Sequence, residues 1–127
     1  MKYAFTIYGD QSARESATPE DMEATTQAYM AFTQDVQDKG ILLAGEGLYP
    51  TPTATTVRVR DGERSVTDGP FAETKEQLGG FYVLDCKDLD EAIEWAAKIP
   101  GAQHGSVEIR PVMVFDEAGN LVEEATA

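Results

Sequence analysis

The pattern of apolar and polar residues predicts a chain of short strands interrupted by two helices. Near the start, Tyr3, Phe5 and Ile7 recur at every second position, which is the period of a strand with one buried face. After Thr18, a capping residue, and Pro19, which suits the first helical turn, apolar residues recur every three or four positions as in a helix. The predicted strands span residues 2–8, 41–44, 57–60, 64–67, 81–84 and 107–115. The predicted helices span residues 19–39 and 88–99, with a polar loop at residues 9–17.

Two of the predicted strands flank Asp61-Gly62, a pair typical of a two-residue hairpin turn. In that register Arg60 faces Glu63 and Val57 faces Val66, and both are favourable cross-strand pairs. With the hairpin set aside, the elements run strand, helix, strand, strand, helix, strand. This order predicts an α+β fold, a ferredoxin-like split βαβ sheet with an inserted hairpin.

The apolar pattern of the strand at residues 81–84 predicts a partner for the sheet. Phe81 and Val83 point to one face of the strand, and Tyr82 and Leu84 point to the other. Two helices cover only one face of a four-stranded sheet, and a solvated second face would be polar. We therefore expect a second copy of the chain to cover the open face, giving a homodimer with a ligand cavity between sheet and partner.

Length and charge narrow the possible functions. The 127 residues suit one domain, predicted at residues 1–115, followed by an acidic tail at residues 116–127 with a short strand at residues 121–122. A net charge of −13, from ten Lys and Arg against 23 Asp and Glu, argues against binding to nucleic acid or to an anionic membrane surface. A single cysteine excludes an internal disulfide, and no apolar stretch is long enough for a signal core or a membrane span, so we expect a cytoplasmic protein.

The most informative segment is residues 68–81, which reads DGPFAETKEQLGGF. It combines a tight turn, a phenylalanine expected to anchor the loop in apolar surroundings, three nearby charges, and a glycine pair expected to form a bulge. This segment closely resembles the motif that defines the DGPF branch of the YCII-related family, and further blocks at residues 45–48, 91–100 and 107–112 agree with that family. The resemblance covers roughly residues 2–115. It implies a ferredoxin-like α+β fold that dimerises as an α/β barrel.

The resemblance implies no particular reaction, because most members of this branch have no established activity. Some look associated with extracytoplasmic-function sigma factors, which implies a non-catalytic regulatory module as the alternative to a ligand-binding protein. Other YCII-related proteins are thought to use a His–Asp pair whose histidine lies in the first helix, and a dehydrochlorinase belongs to that wider group. The predicted helix at residues 19–39 has no histidine, so that pair does not carry over to this chain.

Two residues are candidates for acid–base catalysis. His104 is the only histidine, and its ordinary pKa lies near neutrality; the structural alternative is an exposed loop residue. Asp68 offers a carboxylate suited to proton abstraction or elimination on a small oxygenated substrate; the alternative is a turn carboxylate that accepts backbone amides. Cys86 is interpreted as a packed, inert thiol.

The candidate ligand-binding residues are mostly charged, with Lys75 as a cationic anchor and Arg110 as a bidentate partner for an acidic group. The set comprises Glu46, Phe71, Glu73, Lys75, Glu76, Glu108 and Arg110. The alternatives are a solvated charge cluster in the motif and an ion pair between Glu108 and Arg110. No spacing of Cys, His or acidic residues matches a zinc or calcium site, and the glycines do not form a phosphate or dinucleotide fingerprint. We therefore expect a small polar metabolite and no metal or cofactor.

Overall fold

The computed structural model describes residues 1–123, so the last four residues of the predicted acidic tail, Glu124 among them, lie outside the described part of the chain. Within that part the architecture is mixed α+β, with antiparallel sheets and three α-helices. The strands are β1 Lys2–Asp10, β2 Leu42–Gly47, β3 Thr55–Arg60, β4 Glu63–Asp68, β5 Glu76–Asp85, β6 Ser106–Pro111, β7 Val114–Phe115 and β8 Leu121–Glu123. The helices are α1 Gln11–Glu15, α2 Pro19–Asp38 and α3 Leu89–Lys98, with 3-10 turns at Thr51–Thr53 and Pro100–Gln103.

Four strands form the main sheet in the order β2-β5-β1-β6, and every neighbouring pair is antiparallel. The strands β3 and β4 form a separate hairpin, and β7 pairs with β8. The described strands do not close into a barrel within one chain. None of the described helices has the length and apolar character needed to cross a membrane.

The core lies between one face of the main sheet and the helices α2 and α3. Phe32 of α2 packs edge-on against Tyr82 of β5, with ring centroids 5.1 Å apart, and against Trp95 of α3 at 6.1 Å. The buried apolar residues are Tyr3, Phe5, Ile7, Phe32, Val36, Tyr82, Leu84, Cys86, Ala92, Ala96 and Ile99. Ala92 and Ala96 form the contacting side of α3, whereas Ile93 is 51% exposed.

The opposite face of the main sheet is less buried. Thr6 of β1 and Phe81 and Val83 of β5 are half-buried there. In the outer strands, the positions that register places beside them are exposed, as at Glu46 and Glu108. This open face therefore carries apolar residues in its centre and charged residues on its flanks.

The start of α2 and the hairpin follow the sequence prediction closely. The Thr18 hydroxyl accepts the Asp21 amide at 3.1 Å, and the Asp21 carboxylate accepts the Thr18 amide at 3.1 Å, so the two form a capping box. In the hairpin, Arg60 faces Glu63 and Val57 faces Val66, as predicted. The main sheet also has the predicted bulge, since the pairing of β1 with β5 passes from Gly80 to Leu78.

Two predicted segments are wrong. The loop expected at residues 9–17 instead contains the end of β1 and helix α1, which starts because the Asp10 carboxylate accepts the Ser12 amide at 2.9 Å. The strand expected at residues 107–115 ends at Pro111, which has no amide hydrogen to continue the ladder. The chain then turns, and Val114–Phe115 pairs with β8, which lies where a short tail strand was predicted.

Candidate functional site

A cleft of about 970 Å³ lies between helix α2 and the ends of the main-sheet strands. The α2 side supplies Met22, Tyr29, Met30 and Thr33, and the sheet side supplies several glycines together with larger residues such as Ile7, Leu78 and Tyr82. This cleft lies on the helix-covered side of the sheet and is complete in one chain. The sequence prediction had instead placed a cavity on the open face, against a partner.

Glycines form much of the sheet side of the cleft. Seven of the eleven glycines line it: Gly9, Gly45, Gly47, Gly79, Gly80, Gly101 and Gly105. At Gly101 a Cβ atom would lie 2.6 Å from the Tyr29 hydroxyl oxygen and 2.8 Å from Ile7 Cγ2. At Gly105 it would overlap the carbonyl oxygen of Tyr8. The glycines therefore let the turn at Pro100–Gln103 approach β1 and α2 closely.

Three residues that line the cleft, Tyr29, Thr33 and Tyr82, carry hydroxyl groups, called here the inner hydroxyls. The hydroxyls of Thr33 and Tyr82 lie 2.9 Å apart and share one hydrogen bond, in which either oxygen can be the donor. Burial raises the pKa of Tyr29, while a hydrogen bond from the Gly101 backbone amide to its oxygen acts in the opposite direction. Tyr29 thus stays protonated at neutral pH, and its hydrogen has no acceptor among residues 1–123. It can be donated to a bound molecule.

The mouth of the cleft carries charges of both signs. The exposed Arg14 lines it together with Asp10, and the exposed His104 lies there as well. Hydrogen bonds from Ser12, followed by the charge of Lys75, lower the pKa of Asp10, so this carboxylate is ionised at neutral pH. The mouth therefore has no strong net preference for anionic or cationic ligands. The inner hydroxyls are the groups that can distinguish one ligand from another.

A second, smaller cavity of about 560 Å³ lies at the base of the hairpin. Its lining combines Gly69-Pro70 with Glu73 and Lys75 of the motif and with polar groups of α1. The Thr51 hydroxyl lies 2.5 Å from the Gln11 side-chain oxygen and 2.9 Å from that of Gln77. A single hydroxyl hydrogen can be donated to only one of these two oxygens at a time, so Thr51 bonds either to α1 or to the start of β5.

The predicted site residues do not form one site. Glu46, Glu108 and Arg110 belong to the open face of the sheet, where the carboxylate of Glu108 and the guanidinium of Arg110 pair at 2.9 Å with both side chains exposed. Glu73 and Lys75 line the small cavity. His104 lines the mouth of the large cleft; Glu46 also borders this cleft, between Gly45 and Gly47, although register directs its side chain to the open face.

Asp68, Phe71 and Glu76 line neither cavity. Asp68 ends β4 opposite Thr55, and its carboxylate makes no hydrogen bond within residues 1–123. Glu76 starts β5, and its carboxylate accepts the Ser106 hydroxyl at 3.1 Å. Phe71 is 77% exposed, so the expectation that it anchors the loop in apolar surroundings is wrong for the single chain.

Cys86 is buried in the core, and burial, followed by the nearby charges of Glu91 and Asp85, raises its pKa to about 11. It is therefore a neutral thiol at physiological pH and a poor nucleophile. Among the described residues, no group of three or more His, Cys, Asp or Glu side chains is arranged to hold a metal ion.

The inner hydroxyls were missed as a site by the sequence interpretation. In the sequence, Tyr29 belongs to the apolar repeat of the predicted first helix and Tyr82 to the apolar pattern of the strand at residues 81–84, so both patterns predict packing rather than a site. One signal existed: Tyr29 and Thr33 are four residues apart, so their side chains share one side of α2. The glycines of β2 and β5 are distant from Tyr29 and Thr33 in the sequence, so no sequence pattern indicates that they line the same cleft.

The fold and the cleft define a small α+β domain, and the comparison with known families identifies its class. Residues 1–116 match the YCII-related domain family, and the chain belongs to that family. It is 40% identical over 117 residues to an uncharacterized protein of Rhizobium meliloti (strain 1021), a match covering 91% of this chain and 94% of the relative. The resemblance inferred from the DGPF segment is therefore confirmed. Neither comparison assigns an activity.

Proposed function

We propose that this YCII-related protein is a homodimer that binds a small molecule in the cleft between α2 and the glycine-lined strand ends. The observation that carries the proposal is the cleft itself, whose volume of about 970 Å³ falls in the range of small-molecule sites. Such sites are mostly apolar and contain a few convergent polar groups, which matches the methionines and the three hydroxyls.

The lining favours an amphipathic ligand over the strongly polar metabolite expected from the sequence. Met22 and Met30 are long, flexible and exposed, so they adapt to an apolar body. Tyr29 offers a hydroxyl hydrogen to a carbonyl, carboxylate or ether oxygen. We therefore infer a ligand with an apolar ring or chain and one oxygen acceptor directed at the hydroxyls of Tyr29, Thr33 and Tyr82.

The strand order of the main sheet also supports a ferredoxin-like fold. The order β2-β5-β1-β6 places the first and third strands of the main sheet in its centre, with α2 connecting β1 to β2 and α3 connecting β5 to β6. This arrangement fits a ferredoxin-like split βαβ sheet in which the hairpin β3–β4 is an insertion. Two such sheets meeting by their open faces would give the proposed dimeric α/β barrel.

The amount of exposed surface supports the homodimer. A compact monomer of 13.8 kDa exposes about 6,600 Å². This chain exposes 9122 Å². The difference exceeds the area of about 800 Å² that each partner contributes to an interface of ordinary size. The half-buried Phe81 and Val83 on the open face identify one place where that surface is apolar.

Light scattering is expected to give about twice the monomer mass of 13.8 kDa at micromolar concentration. The physical reason is that the free energy falls when a second copy removes the apolar side chains of the sheet face from water. A mass of one chain across the accessible concentration range contradicts the homodimer and leaves the cleft proposal standing, because the cleft is complete in one chain.

Ligand binding is expected to shift the backbone amides of the cleft glycines in a 1H–15N titration with acetophenone and benzoate, each at millimolar concentration. Gly45, Gly80 and Gly101 line the cleft and report on it, whereas Gly40, Gly62 and Gly119 do not line it and serve as internal controls. The proposal fails if no cleft glycine shifts with either probe, or if the control glycines shift equally.

The substitution Tyr29→Phe separates specific binding from partition into an apolar groove. Losing one neutral hydrogen bond costs about 0.5–1.5 kcal/mol, so the affinity for a responding probe should fall about two- to tenfold. The matched control is Tyr49→Phe, since Tyr49 is 84% exposed and lies outside the cleft. Equal affinities for both variants would show that the Tyr29 hydroxyl does not contact the ligand.

The sequence also predicts two alternatives, acid–base catalysis and association with a sigma factor, and fewer observations support them. Of the two catalytic candidates, His104 lines the cleft and Asp68 does not, so acid–base chemistry in the cleft would have to use His104. Association with a sigma factor stays a prediction from the family resemblance.

A further inference from the structure

The hairpin formed by β3 and β4, residues 55–68, is a two-stranded arm with one face covered by its own chain. Its strands pair with each other and with no described strand of the main sheet. The Thr56 hydroxyl donates to the Gly69 carbonyl at 2.8 Å, and the Arg58 guanidinium donates to the Phe71 carbonyl at 3.2 Å. The loop that follows the arm therefore lies against the face that carries Thr56 and Arg58.

The opposite face of the arm, the valine face, is uncovered. Register places on it Thr55, Val57, Val59, Arg64, Val66 and Asp68. The three valines are 57%, 59% and 58% exposed in chain order. The valine face is thus an apolar surface without a partner in the single chain.

The valine face has opposite charges at its two ends. Arg64 lies in the row nearest the turn, Val57 and Val66 form the middle row, and Asp68 lies in the row at the base. Arg64 and Asp68 are about 13 Å apart along one strand, so they do not pair with each other within a chain. Neither forms an ion pair with another of residues 1–123.

This order of charges makes the valine face complementary to a second copy of itself. A twofold axis that crosses the strands at the middle row reverses the strand direction, so the turn row of one copy lies over the base row of the other. Arg64 of each copy then faces Asp68 of the other, and Val57 and Val66 face their own counterparts. An axis along the strands would instead bring the two Arg64 side chains together at one end. The charges therefore favour the arrangement in opposite directions.

The arm carries no net charge in a strongly acidic chain. Its charged residues are three arginines and three acids, Arg58, Arg60, Arg64, Asp61, Glu63 and Asp68. The net charge of −13 therefore resides outside residues 55–68. Two copies that meet by their arms bring together neutral segments, which reduces the repulsion that other surfaces of the chain would meet.

The exposed surface of the chain is large enough for a contact in addition to the open sheet face. The chain exposes 9122 Å², against about 6,600 Å² for a compact monomer of its mass. The difference is about three times the area of about 800 Å² that one partner contributes to an ordinary interface. Covering the open face by a second sheet therefore does not account for all of it, and the exposed valines belong to the rest.

We propose that the arms of two copies pack valine face against valine face in opposite directions, with two Arg64–Asp68 ion pairs across the contact. Sheets that pack face to face lie about 10 Å apart, a distance that an arginine and an aspartate side chain span together. The arm is only two strands wide and about 20 Å long, so we expect this contact at submillimolar rather than micromolar concentration. It uses neither the open sheet face nor the cleft, and it is therefore independent of the proposed barrel dimer and ligand site.

Coupling by a carbodiimide tests whether position 64 faces Asp68 of another copy. Chains with Arg64→Lys, half of them labelled with 15N, are unfolded in urea, refolded together and treated at submillimolar concentration. The reagent joins an amine to a carboxylate without a spacer, so only groups in contact are linked. The expected product is an amide between position 64 of a labelled chain and Asp68 of an unlabelled chain, identified by mass spectrometry after digestion.

Three further variants make the result specific. Arg58→Lys places an amine on the covered face of the arm and should give no link to Asp68 of another chain. Adding Val57→Glu to Arg64→Lys places two carboxylates opposite each other at the centre of the contact. The yield of the link should then fall at least about tenfold, because like charges that face each other strongly disfavour association. Adding Ser65→Glu, on the opposite face, should leave the yield unchanged.

The outcomes separate the arm contact from the proposed homodimer. Absence of a link between position 64 and Asp68 of differently labelled chains, or equal links from positions 58 and 64, overturns the arm contact. If that link is absent and light scattering still gives two chains, the homodimer stands and only the arm inference fails. A link from position 64 to Glu46 or Glu108 of another chain places the arm on the open sheet face, which overturns the arm contact and the barrel dimer together.

Discussion

Replacing Gly105 by alanine is expected to destabilise the fold by about 3 kcal/mol, the upper part of the range for overpacking of a tight contact. A Cβ atom at this position would overlap the carbonyl oxygen of Tyr8 and lie 3.1 Å from the Cα atom of Gly9. Both contacts are backbone, which cannot move aside as the end of a flexible side chain can. The turn at Pro100–Gln103 would have to separate from β1, and the wall of the cleft would open with it.

Gly47→Ala is the matched control for this substitution, because no atom lies within 4 Å of the Cβ position at Gly47 and its backbone is not in the left-handed region. Its free energy of unfolding should change by less than about 1 kcal/mol. Denaturation in urea, at one protein concentration for all variants, gives both values, since association would otherwise contribute to the difference. Equal stabilities for Gly105→Ala and wild type would mean that the turn can relax freely.

The elements that the sequence predicts well are those whose signal is local. The turn of the hairpin uses Asp61 and Gly62 with φ of 53° and 76°, the left-handed values that an Asp-Gly pair adopts readily. The capping box of Thr18 and Asp21 likewise lies within four residues. Such signals need no knowledge of the rest of the chain, so hairpin register and helix start are both predictable.

Predictions fail where the deciding contact is distant in sequence or the element is too short to show a period. Helix α1 has five residues, less than two turns, and its start depends on the Asp10 side chain. Strand β5 begins at Glu76 rather than at Phe81 because its first residues pair with the end of β1, some 65 residues away. The charged motif therefore extends into β5. Its residues Glu73 and Lys75 line the small cavity, whereas Glu76 is the first residue of the strand.

The candidate site shows the same limit more strongly. The cleft needs Tyr29 of α2, Tyr82 of β5 and Gly101 after α3 to meet, and no local pattern reports their proximity. The sequence identified polar groups by charge, and most of these lie on the open face or at the small cavity. The hydroxyls and glycines that line the large cleft are individually unremarkable residues, so their role emerges only from the fold.

Replacing Leu84 by alanine is expected to destabilise the fold by about 3 kcal/mol, within the range of about 2–5 kcal/mol measured for buried Leu→Ala changes. Leu84 lies in β5, the strand that pairs with both β1 and β2, and its side chain is fully buried. Its cross-strand neighbour Tyr3 is also buried, so the removed methyl groups leave a cavity that the sheet cannot close. The loss combines transfer of apolar atoms with the cost of that cavity.

Leu43→Ala provides the control within the same sheet, because Leu43 lies at the irregular position of β2 and is 49% exposed. Its substitution should cost less than about 1 kcal/mol, since most of the side chain already contacts water. Urea denaturation of both variants gives the difference directly. If Leu43→Ala proves as costly as Leu84→Ala, Leu43 is covered in solution. A second copy of the chain would then be the nearest source of that cover, because the single chain leaves the residue open.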